Sequence, residues 1–127
     1  MDLDLVITGG TLLTAGDNFR ADLGILDGVI SAIGEGLSGR ETIDARGKLV
    51  IPGGVDPHVH LEMPVGPTVS CDDWETGTIA AAFGGTTTVI DFIEPEDDQT
   101  LLQAFEERRS KADYRANIDF GLHMTLI

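Results

Sequence analysis

The chain has 127 residues, of which 42% are hydrophobic, and its formal net charge is −14 at pH 7. That length and hydrophobic share suit a modest domain with a real core, while the excess of acidic residues argues against nucleic acid as a partner, because its phosphates would be repelled. No apolar run reaches the roughly 18 residues that a membrane span requires, and the N-terminus lacks the basic start of a signal peptide, so we expect a cytoplasmic protein without a membrane partner.

Residues 1–50 contain short apolar segments that are separated by glycines. In the first segment Leu3, Leu5 and Ile7 recur at every second position, which is the period of a strand. Asp27-Gly28 lies between two apolar runs and predicts a tight hairpin, since glycine tolerates the positive φ of a type I′ turn. We therefore predict a small antiparallel β unit over residues 1–50.

From residue 51 onward the pattern changes to strands that alternate with helices. A strand reaching residue 61 is followed by a helix pattern over residues 72–83, for which Ser70 is the predicted N-cap. Glycines at 84 and 85 end this helix. Its residues Trp74 and Phe83 are expected to pack on the sheet.

The strand predicted over residues 86–93, TTTVIDFI, is rich in β-branched residues and almost continuously apolar, as in a parallel sheet covered on both faces. A second helix over residues 97–113 contains Arg108 and basic neighbours, which we expect to face solvent, and a third strand follows over residues 117–127. This alternation favours parallel pairing and an α/β class. Three strands and two helices are only part of such a fold, so we expect an incomplete architecture.

His58 and His60 stand two positions apart at the end of the first of these strands. Side chains two apart on a strand point to one face, so two neutral imidazoles placed in this way can converge on one divalent ion. Asp56 shares their face and is a candidate for orienting a ring or lying near the metal. The carboxyl end of a strand is where barrel enzymes carry their chemistry. We therefore favour a metal site over ordinary packing for this pair.

Two other residues could approach the same place. Asp91 ends the second strand, and it either reaches the histidines or caps the turn that follows. His123 lies in the middle of the third strand, where a lone histidine is more often a hydrogen-bonded core residue than a ligand. We leave the role of Asp91 open and do not include His123 among the expected ligands.

The motif PGGVDPHVH at residues 52–60, the Met-Pro loop after it and GGTTT at residues 84–88 together resemble the cyclic amidohydrolases. Within that superfamily the chain is most similar to the dihydropyrimidinase and D-hydantoinase family, and the resemblance covers its whole length. It implies that residues 1–50 contribute strands to a β-sandwich. It also implies that residues 51–127 form the first three strands and two helices of a metal-dependent (β/α)8 barrel, an N-terminal fragment of the family fold.

The resemblance further implies that His58 and His60 bind the more buried ion of a two-metal site, usually zinc. Met63, Pro64 and Val65 would shape the substrate pocket. The family's bridging carboxylated lysine, further histidines and catalytic aspartate would lie beyond residue 127, so we expect no catalytic residue in this chain and no turnover by it alone.

The implied substrates of the full-length parent are small cyclic amides of pyrimidine catabolism. Dihydropyrimidines or 5-substituted hydantoins would be hydrolysed to N-carbamoyl amino acids, by a protein that is commonly a homotetramer.

Several alternatives remain. Dihydroorotase-like relatives usually carry arginine two residues after the second histidine, where this chain has Glu62, so that substrate is disfavoured. An allantoinase-type hydrolase is less easily excluded. Dihydropyrimidinase-like scaffold proteins have lost metal ligands, and the retained histidines favour the enzyme over them. A short binding protein is a third possibility, for which the sequence offers no partner motif.

Overall fold

A computed structural model describes residues 2–126, which divide into one compact unit ending at Pro52 and a second beginning at Gly53. Both strands and helices are present, so the α/β class predicted from the sequence is confirmed. Neither helix in this range has the length and apolar character needed to cross a membrane.

The first unit is a five-stranded sheet. Its strands are β1 (Leu3–Leu13), β2 (Asn18–Leu26), β3 (Val29–Gly34), β4 (Gly39–Asp44) and β5 (Leu49–Val50). β1, β2 and β3 pair antiparallel, and both residues of the Asp27-Gly28 turn adopt positive φ, which confirms the predicted hairpin. Leu12, Ala21 and Leu23 form the buried cluster of this sheet.

The expectation of a wholly antiparallel unit is wrong, because β4 and β5 pair parallel to β1. Residues 35–38 carry the chain from β3 to the other edge of β1, where Gly39 pairs with Leu3. The Asp22 carboxylate fixes this connection by accepting hydrogen bonds from the N–H groups of Gly9, at 2.9 Å, and Leu37, at 3.2 Å. These contacts join residues far apart in sequence, so local periodicity gives no sign of them.

The second unit alternates strands and helices. Its elements are β6 (Gly54–Val59), β7 (Pro64–Val65), β8 (Thr68–Val69), α1 (Trp74–Phe83), β9 (Thr86–Ile93), α2 (Leu101–Ala112) and β10 (Asp119–Met124). β6, β9 and β10 form a parallel sheet in which β9 is central, as the alternation predicts. β7 and β8 form a small antiparallel hairpin between β6 and α1.

Helix α1 begins later than predicted, and Asp73 rather than Ser70 is its N-cap. The Asp73 carboxylate accepts the Thr76 N–H at 2.7 Å, while the Thr76 hydroxyl accepts the Asp73 N–H at 3.1 Å, which makes a reciprocal capping box. These bonds satisfy two backbone donors at the helix start. The Ser70 hydroxyl is engaged elsewhere, in the β7–β8 hairpin.

The core of the second unit lies between the sheet and its helices. Leu61, Trp74, Val89 and Ala112 are its buried members. Trp74 is fully buried, as expected, whereas the prediction for Phe83 is wrong because this last residue of α1 is 92% exposed. Along β9 the buried residues Val89, Asp91 and Ile93 alternate with less buried ones, so Phe92 lies on the opposite face from Asp91.

Candidate metal site

The His58 and His60 side chains converge at the carboxyl end of β6. Their Nε2 atoms are 3.0 Å apart, and the rings meet edge to face with centroids separated by 4.9 Å. Both residues are exposed. The structure therefore brings together, on one accessible face, the two imidazoles that the sequence singles out.

This geometry fits a shared divalent cation. Two metal–nitrogen bonds of roughly 2.0–2.1 Å at a tetrahedral angle would hold the nitrogens about 3.3–3.4 Å apart. The observed 3.0 Å differs by only a few tenths of an ångström, within reach of a small ring rotation. Within residues 2–126, however, no cluster of three or more His, Cys, Asp or Glu side chains could hold a metal ion. The pair is thus one ligand short of the usual three-residue catalytic zinc site.

Phe92 of β9 supports both imidazoles. Its ring centroid lies 4.4 Å from that of His58 and 5.4 Å from that of His60. The ring centroid of His123 in β10 lies 5.3 Å from that of the same phenyl ring. Because β9 lies between β6 and β10, a whole strand separates His123 from the pair. Phe92 thus forms the apolar surface against which the two rings are arranged.

The two candidate acidic residues occupy different places. The Asp56 carboxylate accepts the His58 backbone N–H at 3.1 Å, so it holds the main chain beside the first histidine rather than a ring nitrogen. Asp91 is fully buried on the face of β9 away from Phe92, and its Oδ2 accepts a hydrogen bond from Arg108 Nε at 2.9 Å. Asp91 is therefore directed toward α2 and away from the histidines.

Arg108 does not lie on a solvent-exposed face, contrary to the expectation from the sequence. Its residue is only 9% exposed, between the buried Ala104 and Ala112 of α2. Arg108 Nη2 donates to the Asp91 carboxylate and to the main-chain carbonyl of Leu61, the residue after His60. The guanidinium also lies 5.5 Å from the centre of the Trp74 ring. This arginine joins α2 to β9 and to the chain that follows β6.

The β7–β8 hairpin, which carries Met63, Pro64 and Val65, is closed by Ser70. The Ser70 hydroxyl donates to the His60 carbonyl at 3.0 Å and accepts the Met63 N–H at 2.9 Å. The Ser70 N–H also donates to the Met63 carbonyl at 2.9 Å. Met63 and Pro64 line a cleft together with Phe92. One hydroxyl thus connects the hairpin to the second histidine.

Glu62 is held in an ion-pair network at the base of the hairpin. It adopts a positive φ of 46°, and its carboxylate accepts from Arg115 at 2.8 Å. Arg115 also donates to Asp73 at 3.0 Å. The hydrogen bond to Glu62 raises the pKa of Arg115, and the Thr76 N–H lowers the pKa of Asp73. The Glu62 carboxylate is therefore committed to a neighbouring cation.

Phe92 and the roles of Ser70 and Arg108 were not predicted from the sequence. For Arg108 a signal was present, because Ala104, Arg108 and Ala112 recur every four residues and mark one helix face. For Phe92 the alternation along β9 puts it on the face opposite Asp91. For Ser70 the pairing depends on the hairpin geometry, which leaves no periodic signature.

Comparisons with known proteins show which family the chain is similar to. The profile described as "Amidohydrolase family" matches residues 49–120. A curated D-hydantoinase of Geobacillus stearothermophilus is 53% identical over 95% of the chain, and a dihydropyrimidinase of Dictyostelium discoideum is 38% identical over 96%. A solved D-hydantoinase from Bacillus sp. AR9 superposes with a TM-score of 0.93 at 47% identity, over 97% of this chain and 27% of that one. The chain spans 26% and 25% of the lengths of these two curated relatives.

Proposed function

Because this chain belongs to the amidohydrolase family, we propose that it is the metal-binding N-terminal part of a hydrolase that opens cyclic amides. The observation that carries this proposal is the convergence of the His58 and His60 Nε2 atoms, 3.0 Å apart at the carboxyl end of a parallel strand. We assign residues 1–50 to a β-sandwich and residues 51–127 to the start of a (β/α)8 barrel.

In this proposal His58 and His60 hold a divalent ion, for which zinc is our first choice. A metal bound there supplies a water of lowered pKa and a Lewis acid for the substrate carbonyl. Asp56 fixes the main chain at His58, and Phe92 sets the plane against which both rings rest. We assign the remaining ligands and the general base to the additional length that the relatives have, since this chain covers only 26% of the G. stearothermophilus protein.

We propose dihydropyrimidines or 5-substituted hydantoins as substrates and N-carbamoyl amino acids as products. Support comes from the names of the relatives, D-hydantoinase and dihydropyrimidinase. The hairpin with Met63, Pro64 and Val65 is our candidate for the wall of the substrate pocket. The side chain two residues after His60 is a carboxylate paired with Arg115 rather than a free cation, which disfavours a carboxylated substrate such as dihydroorotate.

The proposal is tested on the complete protein from the reading frame that contains this chain. Metal content is measured first, and hydrolysis of dihydrouracil, a 5-substituted hydantoin and allantoin is then compared. We expect bound divalent metal and turnover of the first two. A protein that retains metal but prefers allantoin would change the substrate assignment. A folded protein without metal and without activity would contradict the hydrolase and favour a scaffold role.

A further inference from the structure

Side chains hold the chain just after β6, where the backbone pairing of β6 with β9 stops. Pairing with β9 is irregular between Asp56 and Val59, a stretch containing Pro57, which has no N–H to donate. Val59 opposite Asp91 is the last pair of this ladder among the described residues. His60 therefore lies just beyond the region where backbone hydrogen bonds to a neighbouring strand fix its position.

The buried guanidinium of Arg108 helps to fix the position of the chain at this point. Arg108 Nη2 donates to the Leu61 carbonyl, which belongs to the residue immediately after His60. The same arginine is fixed by Asp91, whose side chain has 0% exposure, compared with 10% for that of Arg108. Because the guanidinium is planar and rigid, its bonds to Asp91 and Leu61 fix the distance between β9 and the chain after β6.

Both ends of this connection are adjacent to groups of the candidate metal site. Asp91 precedes Phe92, whose ring contacts both imidazoles, and Leu61 follows His60 directly. A displacement of Leu61 relative to β9 would therefore change how the His60 ring lies against Phe92. Metal sites are sensitive to such support, and losing an outer partner typically costs roughly 10–100-fold in metal affinity or activity.

We propose that Arg108, fixed by Asp91, is a positioning residue that sets the orientation of the His60 imidazole toward a metal ion. This inference rests on the proposed function, because it assumes that His58 and His60 bind metal. The alternative is that the ion pair only stabilises the fold. The two roles can be separated, since replacing a buried ion pair by apolar residues of similar volume is often neutral or stabilising.

The decisive variant is the double substitution Asp91→Leu with Arg108→Met in the complete protein. It removes both charges together and so leaves no buried charge unpaired, while it abolishes the bond to the Leu61 carbonyl. Arg108→Lys is the second variant, because it keeps a cation beside Asp91 but replaces the guanidinium fork by one nitrogen. Arg109→Gln is the matched control, since Arg109 is an exposed neighbour on the same helix whose ion pair with Asp113 spans 3.4 Å.

The probe is Co²⁺ added to the metal-free protein, with the dissociation constant and the visible absorption spectrum as readouts and the melting temperature measured beside them. We expect the dissociation constant of the double variant to rise roughly 10–100-fold with a changed spectrum, and that of Arg108→Lys to rise less. Arg109→Gln should leave both readouts unchanged.

Unchanged cobalt binding in the folded double variant would overturn the positioning role. If the double variant fails to fold, Arg108→Lys decides, and a dissociation constant within twofold of the unsubstituted protein overturns it. An unsubstituted protein that binds no Co²⁺ would instead defeat the proposed function itself, so the two failures are distinct.

Discussion

Replacing His60 by asparagine tests the candidate metal site most directly. In the structure its Nε2 atom lies 3.0 Å from that of His58, so the substitution removes one of two converging nitrogens. Asparagine is shorter and cannot bring a nitrogen to the same point, which leaves His58 as the only ligand supplied by β6. The matched change His58→Asn should have a similar effect.

The size of the effect follows from the free energy of metal binding. Zinc held by four protein ligands gains roughly 10–16 kcal/mol in small structural sites, or about 2.5–4 kcal/mol per ligand. The loss of one imidazole should therefore weaken binding by about two orders of magnitude or more. We expect the complete protein with His60→Asn to lose most of its metal during dialysis against a mild chelator.

The assay is metal content after dialysis, followed by titration of the metal-free protein with Zn²⁺ in the presence of a competing indicator. His123→Asn is the control, because β9 and the Phe92 ring lie between His123 and the pair. It should bind zinc as the unsubstituted protein does. Equal losses in His60→Asn and His123→Asn, or no loss in either, would refute the assignment of His58 and His60 as the ligands.

Three further outcomes follow from contacts in the two units. Ser70→Ala removes the hydroxyl that joins Met63 to the His60 carbonyl. In the complete protein, KM for a 5-substituted hydantoin should therefore rise severalfold while metal content is retained. An unchanged KM would contradict the role of the hairpin. Thr78→Val leaves the Asn117 N–H without its acceptor, the Thr78 hydroxyl at 3.0 Å. It should lower the free energy of unfolding by about 1–2 kcal/mol in urea denaturation. Thr78→Ser, which keeps the hydroxyl, should lower this free energy less. The hydrogen bond from Arg46 lowers the pKa of Asp44 from 3.8 to about 2. The stability that this pair adds is therefore fully present above pH 3.8 and is lost as the pH falls through 2. Asp44→Asn should reduce the acid dependence of the urea midpoint in that range, and an identical dependence in both proteins would argue against the pair.

Local features of the sequence predicted much of the fold. The strand predicted over residues 86–93 is observed as β9 with the same bounds, because a run of β-branched residues between glycines and a proline has few alternatives. The Asp27-Gly28 turn is likewise set by two adjacent residues that tolerate positive φ. The spacing of His58 and His60 was enough to place both rings on one face, since that follows from strand geometry alone.

Features that depend on contacts distant in sequence were not predictable in the same way. The parallel pairing of β4 with β1 follows a connection whose Leu37 N–H is bound by Asp22, and the hydroxyl of Ser70, the predicted N-cap, binds the His60 carbonyl ten residues earlier. Arg108 was expected in solvent because charged residues usually are, yet its burial depends on Asp91 in a different element. In each case the local structure depends on a residue in another segment, and the periodicity within one segment does not identify that residue.

The Arg115 network holds together the two ends of the segment between Glu62 and Asp73. The carboxylates of its two end residues, Glu62 and Asp73, both bind the guanidinium of Arg115, at 2.8 and 3.0 Å respectively. We therefore expect the tip between Pro64 and Val69 to tolerate changes of length or sequence while Glu62 and Asp73 keep their positions. Under the proposed function, we expect libraries that diversify these positions and keep Glu62 and Asp73 to change substrate preference without changes in the rest of the unit.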